Sequence, residues 1–96
     1  MKVRFLPEAR DELKETIKYY NRQRPGLGND LHNEVRAGVE RIRLHPLAWH
    51  PLGERFRRFS INRFPYGIIY AALTDEVVIV AVAHLHREPE YWTGRS

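Results

Sequence analysis

Apolar positions recur along this chain with two periods, three to four residues in the first half and two in the second. Before the first helical stretch, Lys2-Val3-Arg4-Phe5-Leu6 alternates polar and apolar, which predicts a short strand with Val3 and Phe5 on one face. Pro7 suits the first turn of a helix, where its missing N–H is no loss. Leu6, Ala9, Leu13, Ile17 and Tyr20 follow at helical spacing and predict one apolar stripe down a helix of about 16 residues. Arg24-Pro25-Gly26 breaks it. Leu27, Leu31, Val35, Val39 and Ile42 make a second stripe, with Gly38 beside it as a point of close approach between two antiparallel helices. His45-Pro46 ends that helix, and residues 45–54, with Pro46, Pro51 and Gly53 around Trp49, read as an ordered loop.

From Arg55 onward the period is two. Residues 55–61, 66–73 and 77–85 read as strands, the last two joined by a tight turn at Thr74-Asp75-Glu76. Those two are apolar on both faces, as the middle of a sheet covered by helices requires. The expected fold is α+β in the order β-α-α-β-β-β: a helical hairpin packed on one face of a curved, antiparallel-dominated sheet. With no repeat, linker or low-complexity segment, residues 1–96 are expected to form a single domain.

Composition narrows the classes. Hydrophobic residues make up 43% and charged residues 29%, which argues against wholesale disorder. Cysteine is absent, removing disulfides, thiolate metal sites and thiol catalysis, and suiting a reducing compartment. The longest apolar run, residues 66–73, falls well short of the ~20 residues a spanning helix needs. The first residues carry no signal-like apolar region, so a cytoplasmic location is expected. Net charge is +4, and 13 of the 16 basic residues are Arg. Its planar fork matches carboxylate and phosphate, which points to anionic partners, although GC-rich codon usage enriches Arg as well. In the first helix Glu8, Asp11, Glu12 and Glu15 come early and Lys14, Lys18, Arg22 and Arg24 late. That polarity complements the helix dipole and reads as stability rather than function.

Three constellations could carry chemistry. Arg55-Phe56-Arg57-Arg58-Phe59-Ser60-Ile61-Asn62-Arg63 sets four Arg among aromatic residues, suited to a phosphate backbone or an acidic segment, or to protecting a strand edge. Alternation puts Arg57, Phe59 and Ile61 on one face and Phe56, Arg58 and Ser60 on the other, so one Arg of the pair should cross the open face. His84-Leu85-His86-Arg87-Glu88 ends the last strand, with His84 and His86 on one face above Val80 and Val82. A His there suits proton transfer. A metal site would need further ligands at matching spacing, and His45, His50, Glu88 and Glu90 do not provide it, so no metal or other cofactor is expected. Tyr91 and Trp92 either pack back onto the domain or form a partner-binding patch. No Gly-rich phosphate loop, paired-carboxylate motif or serine elbow is present.

The run Arg57-Arg58-Phe59, Arg63-Phe64-Pro65-Tyr66-Gly67-Ile68-Ile69-Tyr70, Asp75-Glu76-Val77-Val78-Ile79, Ala83-His84-Leu85-His86-Arg87 and Trp92 resembles the RelE/ParE superfamily of toxins from bacterial toxin–antitoxin systems. Upstream, residues 9–20, Pro25-Gly26-Leu27-Gly28, Arg41-Ile42-Arg43 and Pro46 resemble it too, so the likeness spans nearly the whole chain. It implies the same β-α-α-β-β-β order and a toxin neutralised by a cognate antitoxin, oligomeric with that antitoxin. Membership leaves two activities, because RelE-like members cleave mRNA in the ribosomal A site and ParE-like members poison DNA gyrase. Against the nuclease pattern, Gly67 replaces a basic position and Arg87 stands near where a terminal Tyr would fall, while His86 matches a His of some nucleases. The resemblance therefore implies the ParE-like branch, with gyrase as target; Arg57, Arg58 and Arg63 of the basic strand, with Tyr91 and Trp92 of the tail, are the expected partner-binding residues. The enzyme alternative is a ribosome-dependent endoribonuclease with His86, Arg87 and Arg63 as catalytic residues, and Arg57 and Arg58 sharing the phosphate charge. A third reading is a non-toxic, basic RNA-binding module with strong salt dependence.

Overall fold

The computed structural model describes residues 1–95. Its elements are β1 (Lys2–Phe5), α1 (Pro7–Gln23), α2 (Leu27–Leu44), β2 (His50–Leu52), β3 (Phe56–Ser60), β4 (Tyr66–Ala72) and β5 (Glu76–His84). Pro7 takes the first turn of α1, as its fixed φ favours. Gly26 makes the turn into α2 at φ +89°, a left-handed conformation that most side chains resist. The two helical stripes point inward: Ala9, Leu31, Val35 and Ile42 are buried, with Leu13, Ile17, Tyr20, Leu27 and Val39 packed against them.

The five strands form one sheet in the order β1-β5-β4-β3-β2. Only β1 runs parallel to its neighbour β5; the other three pairings are antiparallel. The expected order holds, with one addition. Residues 50–52, read above as loop, pair with β3 as a short edge strand, His50 opposite Arg58 and Leu52 opposite Phe56. Three residues containing Pro51 carry too little periodicity to show in sequence, and an edge is where such a strand is tolerated. β3 is therefore internal, and its Arg residues do not guard an edge.

Helices cover one sheet face, where Phe59, Ile61, Ile68, Tyr70, Val77 and Ile79 meet the helical stripes. Gly38 faces this sheet rather than the other helix: a Cβ there would lie 2.8 Å from the Phe59 ring and 2.9 Å from Ile68. The close helix–helix contact is at Gly28, where a Cβ would stand 2.1 Å from the Ile17 carbonyl oxygen. The opposite face carries a second apolar cluster of Phe56, Ile69, Val78, Val80, Ala81, Ala83 and Trp92. A bulge explains how both faces of β5 are served. Tyr70 pairs with Ile79 but Ile69 with Ala81, so Val80 is an extra residue and parity flips beyond it. Simple alternation placed Val80 under His84; the bulge moves it to the far side with Ala81.

Candidate functional site

β3 divides its two central Arg residues between the faces, as the period of two requires. Arg57 lies on the helix side and is committed internally, donating from Nη1 to the Trp49 carbonyl at 2.9 Å. The Trp49 ring stands edge-on to Phe59 at 4.6 Å, so Arg57 anchors the loop that carries it. Arg58 lies on the open face. Its aliphatic stem crosses Gly67, where a Cβ would sit 3.0 Å from Arg58 Cγ and 2.9 Å from Leu85. Gly67 is thus the floor on which Arg58 and Leu85 lie. Arg58 Nε is buried with no hydrogen-bond partner. Arg63 is at the β3–β4 turn, at φ +72°, over the Phe64 ring and within 3.4 Å of Asp30 on α2. The three Arg expected to act together therefore occupy three environments.

The residues after β5 split as well. His84 lies edge-on to Tyr66 at 5.0 Å, Tyr66 meets Tyr20 at 6.2 Å, and the His86 ring stands 5.7 Å from His84. This aromatic row is on the helix side, opposite the open face on which Arg58 lies. Burial holds the His84 imidazole below its ordinary pKa, helped by the nearby Arg87 and His86 charges. His84 Nδ1 accepts the His86 backbone N–H at 3.1 Å. Glu12, Glu15, Thr16, Tyr66, Arg87, Glu88 and Tyr91 complete a pocket of about 560 Å³ around it.

Tyr91 and Trp92 pack back onto the domain. Trp92 is only 6% exposed and meets the Phe56 ring edge-on at 5.0 Å. It was expected among the partner-binding residues; as placed here it is a core member of the open face, because a large ring gains more against Phe56 than in water. The Tyr91 hydroxyl donates to Glu12 Oε2 at 2.6 Å, and burial together with that carboxylate pushes the phenol well above its ordinary value. Glu12 also accepts from Arg95 Nη1 and Nη2, at 2.9 and 3.0 Å, and from the Val82 backbone N–H at 3.0 Å.

Glu12 is the residue that pattern reading missed, having been grouped with the dipole-complementing acids of α1. A sequence signal did exist: it lies three residues from Ala9 and four from Thr16, at the rim of the buried stripe. Its partners lie 70 to 83 positions away, beyond any local rule. Chemically, the open face offers apolar rings and methyl groups with Arg58 and Arg87 at its border. Among the described residues no group of three or more His, Asp or Glu could hold a metal ion. No helix is long and apolar enough to cross a membrane among those residues.

Residues 3–89 match the family model described as the ParE toxin of the type II toxin–antitoxin system parDE. Toxin ParE2 of Mycobacterium tuberculosis, from strain CDC 1551 / Oshkosh, is 29% identical over 89 residues, covering 92% of this chain and 85% of the relative. ParE2 from strain H37Rv of that species matches to the same extent. A solved chain from the chromosomal ParDE system of P. aeruginosa superposes with a TM-score of 0.78 over 88% of this chain and 96% of its own, at 15% identity. That likeness establishes the shared fold.

Proposed function

This chain belongs to the ParE toxin family of type II toxin–antitoxin systems, and from that premise we propose that it arrests growth by inhibiting DNA gyrase. An antitoxin is the partner its family implies. In this reading the protein acts by binding rather than by catalysis. The observation that carries it is the makeup of the open sheet face. RNA cleavage by an attacking 2′-hydroxyl needs a base, an acid and cations converging on one phosphate. Phe56, Ile69, Ala83 and Trp92 fill this face instead, and Gly67 is covered by Leu85 and the Arg58 stem. The proton carriers near the end of β5 do not converge on this face. Tyr91 is tied to Glu12, and His84 and His86 belong to the aromatic row across the sheet. Arg58 and Arg87 remain as fixed charge: a guanidinium offers N–H donors and no acceptor, which suits holding an anion rather than shuttling a proton.

The test is induction of the chain alone in bacteria, followed by biochemistry on the purified protein. Growth arrest with filamentous cells and trapped DNA breaks is expected, together with inhibition of gyrase supercoiling in vitro. Stalled ribosomes programmed with mRNA should yield no codon-specific cleavage, and His86→Ala should arrest growth as strongly as the parent chain. A-site cleavage that disappears in His86→Ala would instead make the protein a ribonuclease.

A further inference from the structure

Beyond engaging the Tyr91 hydroxyl, the polar cluster around Glu12 ties the C-terminal segment to the edge of β5. β1 stops at Phe5, opposite Ile79, where the chain turns into α1. Beyond that point side chains stand in for a strand neighbour of β5. Arg95 Nη1 donates to the Val80 carbonyl at 3.0 Å, and the Val82 N–H donates to Glu12 at 3.0 Å. The Glu12–Arg95 pair thus gives the edge of β5 one donor and one acceptor, the two groups a residue of an adjacent strand would supply. Both side chains are largely covered, with 18% of Arg95 and 22% of Glu12 exposed. The Tyr91 hydroxyl adds its bond to Glu12, and the Arg95 guanidinium closes over the Tyr91 ring at 5.0 Å.

Between β5 and these ties the backbone is strained. Glu90 sits at φ +66°, a left-handed conformation sparsely populated by residues other than glycine, and its carbonyl is held by the Thr93 N–H and hydroxyl. Trp92 meanwhile plugs onto Phe56 over the open face, beside the cleft where Arg58 Nε lacks a partner. The attachment is therefore concentrated on one carboxylate and one ring, with strain between, rather than spread along a strand or helix.

The geometry points to residues 90–95 being a releasable strap, latched by Glu12 and plugged by Trp92. Closed, it covers both the edge of β5 beyond β1 and the apolar open face. Open, it bares Phe56, Ile69 and Ala83 beside the Arg58 guanidinium. The inference concerns the chain by itself and stands whether or not gyrase is the target.

Residue-resolved hydrogen exchange on the full chain tests it, comparing the parent with Glu12→Ala. The Val82, Thr93 and Arg95 amides should exchange at least ~10-fold faster, while residues 68–70 of β4 and 31–35 of α2 keep their rates. Binding of the dye anilinonaphthalene sulfonate should rise in step as the open face is bared. Uniform acceleration across all amides would make Glu12 an ordinary contributor to global stability and overturn the strap; so would an unchanged Val82 and tail. Arg95→Ala decides the matter if Glu12→Ala does not fold. There Glu12 can still accept the Val82 N–H, so the tail amides should accelerate ~10-fold and Val82 much less. Equal rates throughout that variant would also overturn the proposal.

Discussion

Tyr70 shows how a single polar atom is made tolerable in the middle of the sheet. Its side chain is fully buried, and its hydroxyl donates to the Pro46 carbonyl at 2.6 Å, fastening the loop after α2 to β4. Burial pushes the phenol up, with the Arg57 charge opposing it. Tyr70→Phe should cost about 1 kcal/mol, because one neutral hydrogen bond is lost and a carbonyl is left short of a donor; urea unfolding measures it. His84 gives the chain a pH dependence of definite sign. Its folded pKa lies below the ordinary 6.5, so the folded state binds the proton less tightly than the unfolded state. The stability it contributes is fully present above 6.5 and is lost as pH falls through the depressed folded value. Arg87 and His86 reinforce that direction. The urea midpoint should therefore drop as pH is lowered from ~7 to ~5, with a shallower fall in His84→Gln.

At the scale of elements, the separation of α1 and α2 is set by Gly28. Its N–H donates to Asn21 Oδ1 at 2.8 Å, and a methyl group at this position would collide with the Ile17 backbone oxygen. A carbonyl within a helix cannot swing aside as a side chain can, so the helices must part. Gly28→Ala should destabilise the chain by about 1–3 kcal/mol, toward the upper end. Gly94→Ala, with open space around it, should change stability by less than ~0.5 kcal/mol. Thermal unfolding of the two variants side by side separates packing from any general effect of losing glycine. In β5 the bulge at Val80 lets one strand feed two cores: Val77 and Ile79 serve the helix side, and Val80, Ala81 and Ala83 the open side.

For the whole molecule, the charge of +4 would favour an antitoxin segment that carries acids. Steering by complementary charge raises association rates more than it adds affinity. The association rate should fall at least ~3-fold between low and physiological salt, measured by surface plasmon resonance with the cognate antitoxin. The two central Arg residues should then separate by readout. Arg57→Ala removes the bond to Trp49 and should lower the melting temperature, with little change in antitoxin dissociation. Arg58→Ala, on the open face, should raise the dissociation rate and leave the melting temperature nearly unchanged.

Much of this was legible along the chain, because helical and strand periods are local properties of which residues can share a buried face. The stripes from Ala9 to Tyr20 and from Leu27 to Ile42, the turn at Pro25-Gly26 and the assignment of Arg57 and Arg58 to opposite faces all follow from spacing. The resemblance to toxins is a separate matter, carried by the identity of residues spread over nearly the whole chain. The tertiary structure alone decided what depends on distant parts of the chain meeting. The three-residue strand β2 exists because β3 offers it a ladder. Val80 changes face because the register slips against Tyr70 and Ile69. Gly28, not Gly38, marks the helix crossing because the hairpin turns it toward Ile17. Glu12 becomes the anchor of the C-terminal segment because folding brings Tyr91, Arg95 and the edge of β5 to one carboxylate. Spacing reports which face a residue occupies, but a hydrogen bond across 83 positions forms only when the rest of the fold has closed the distance.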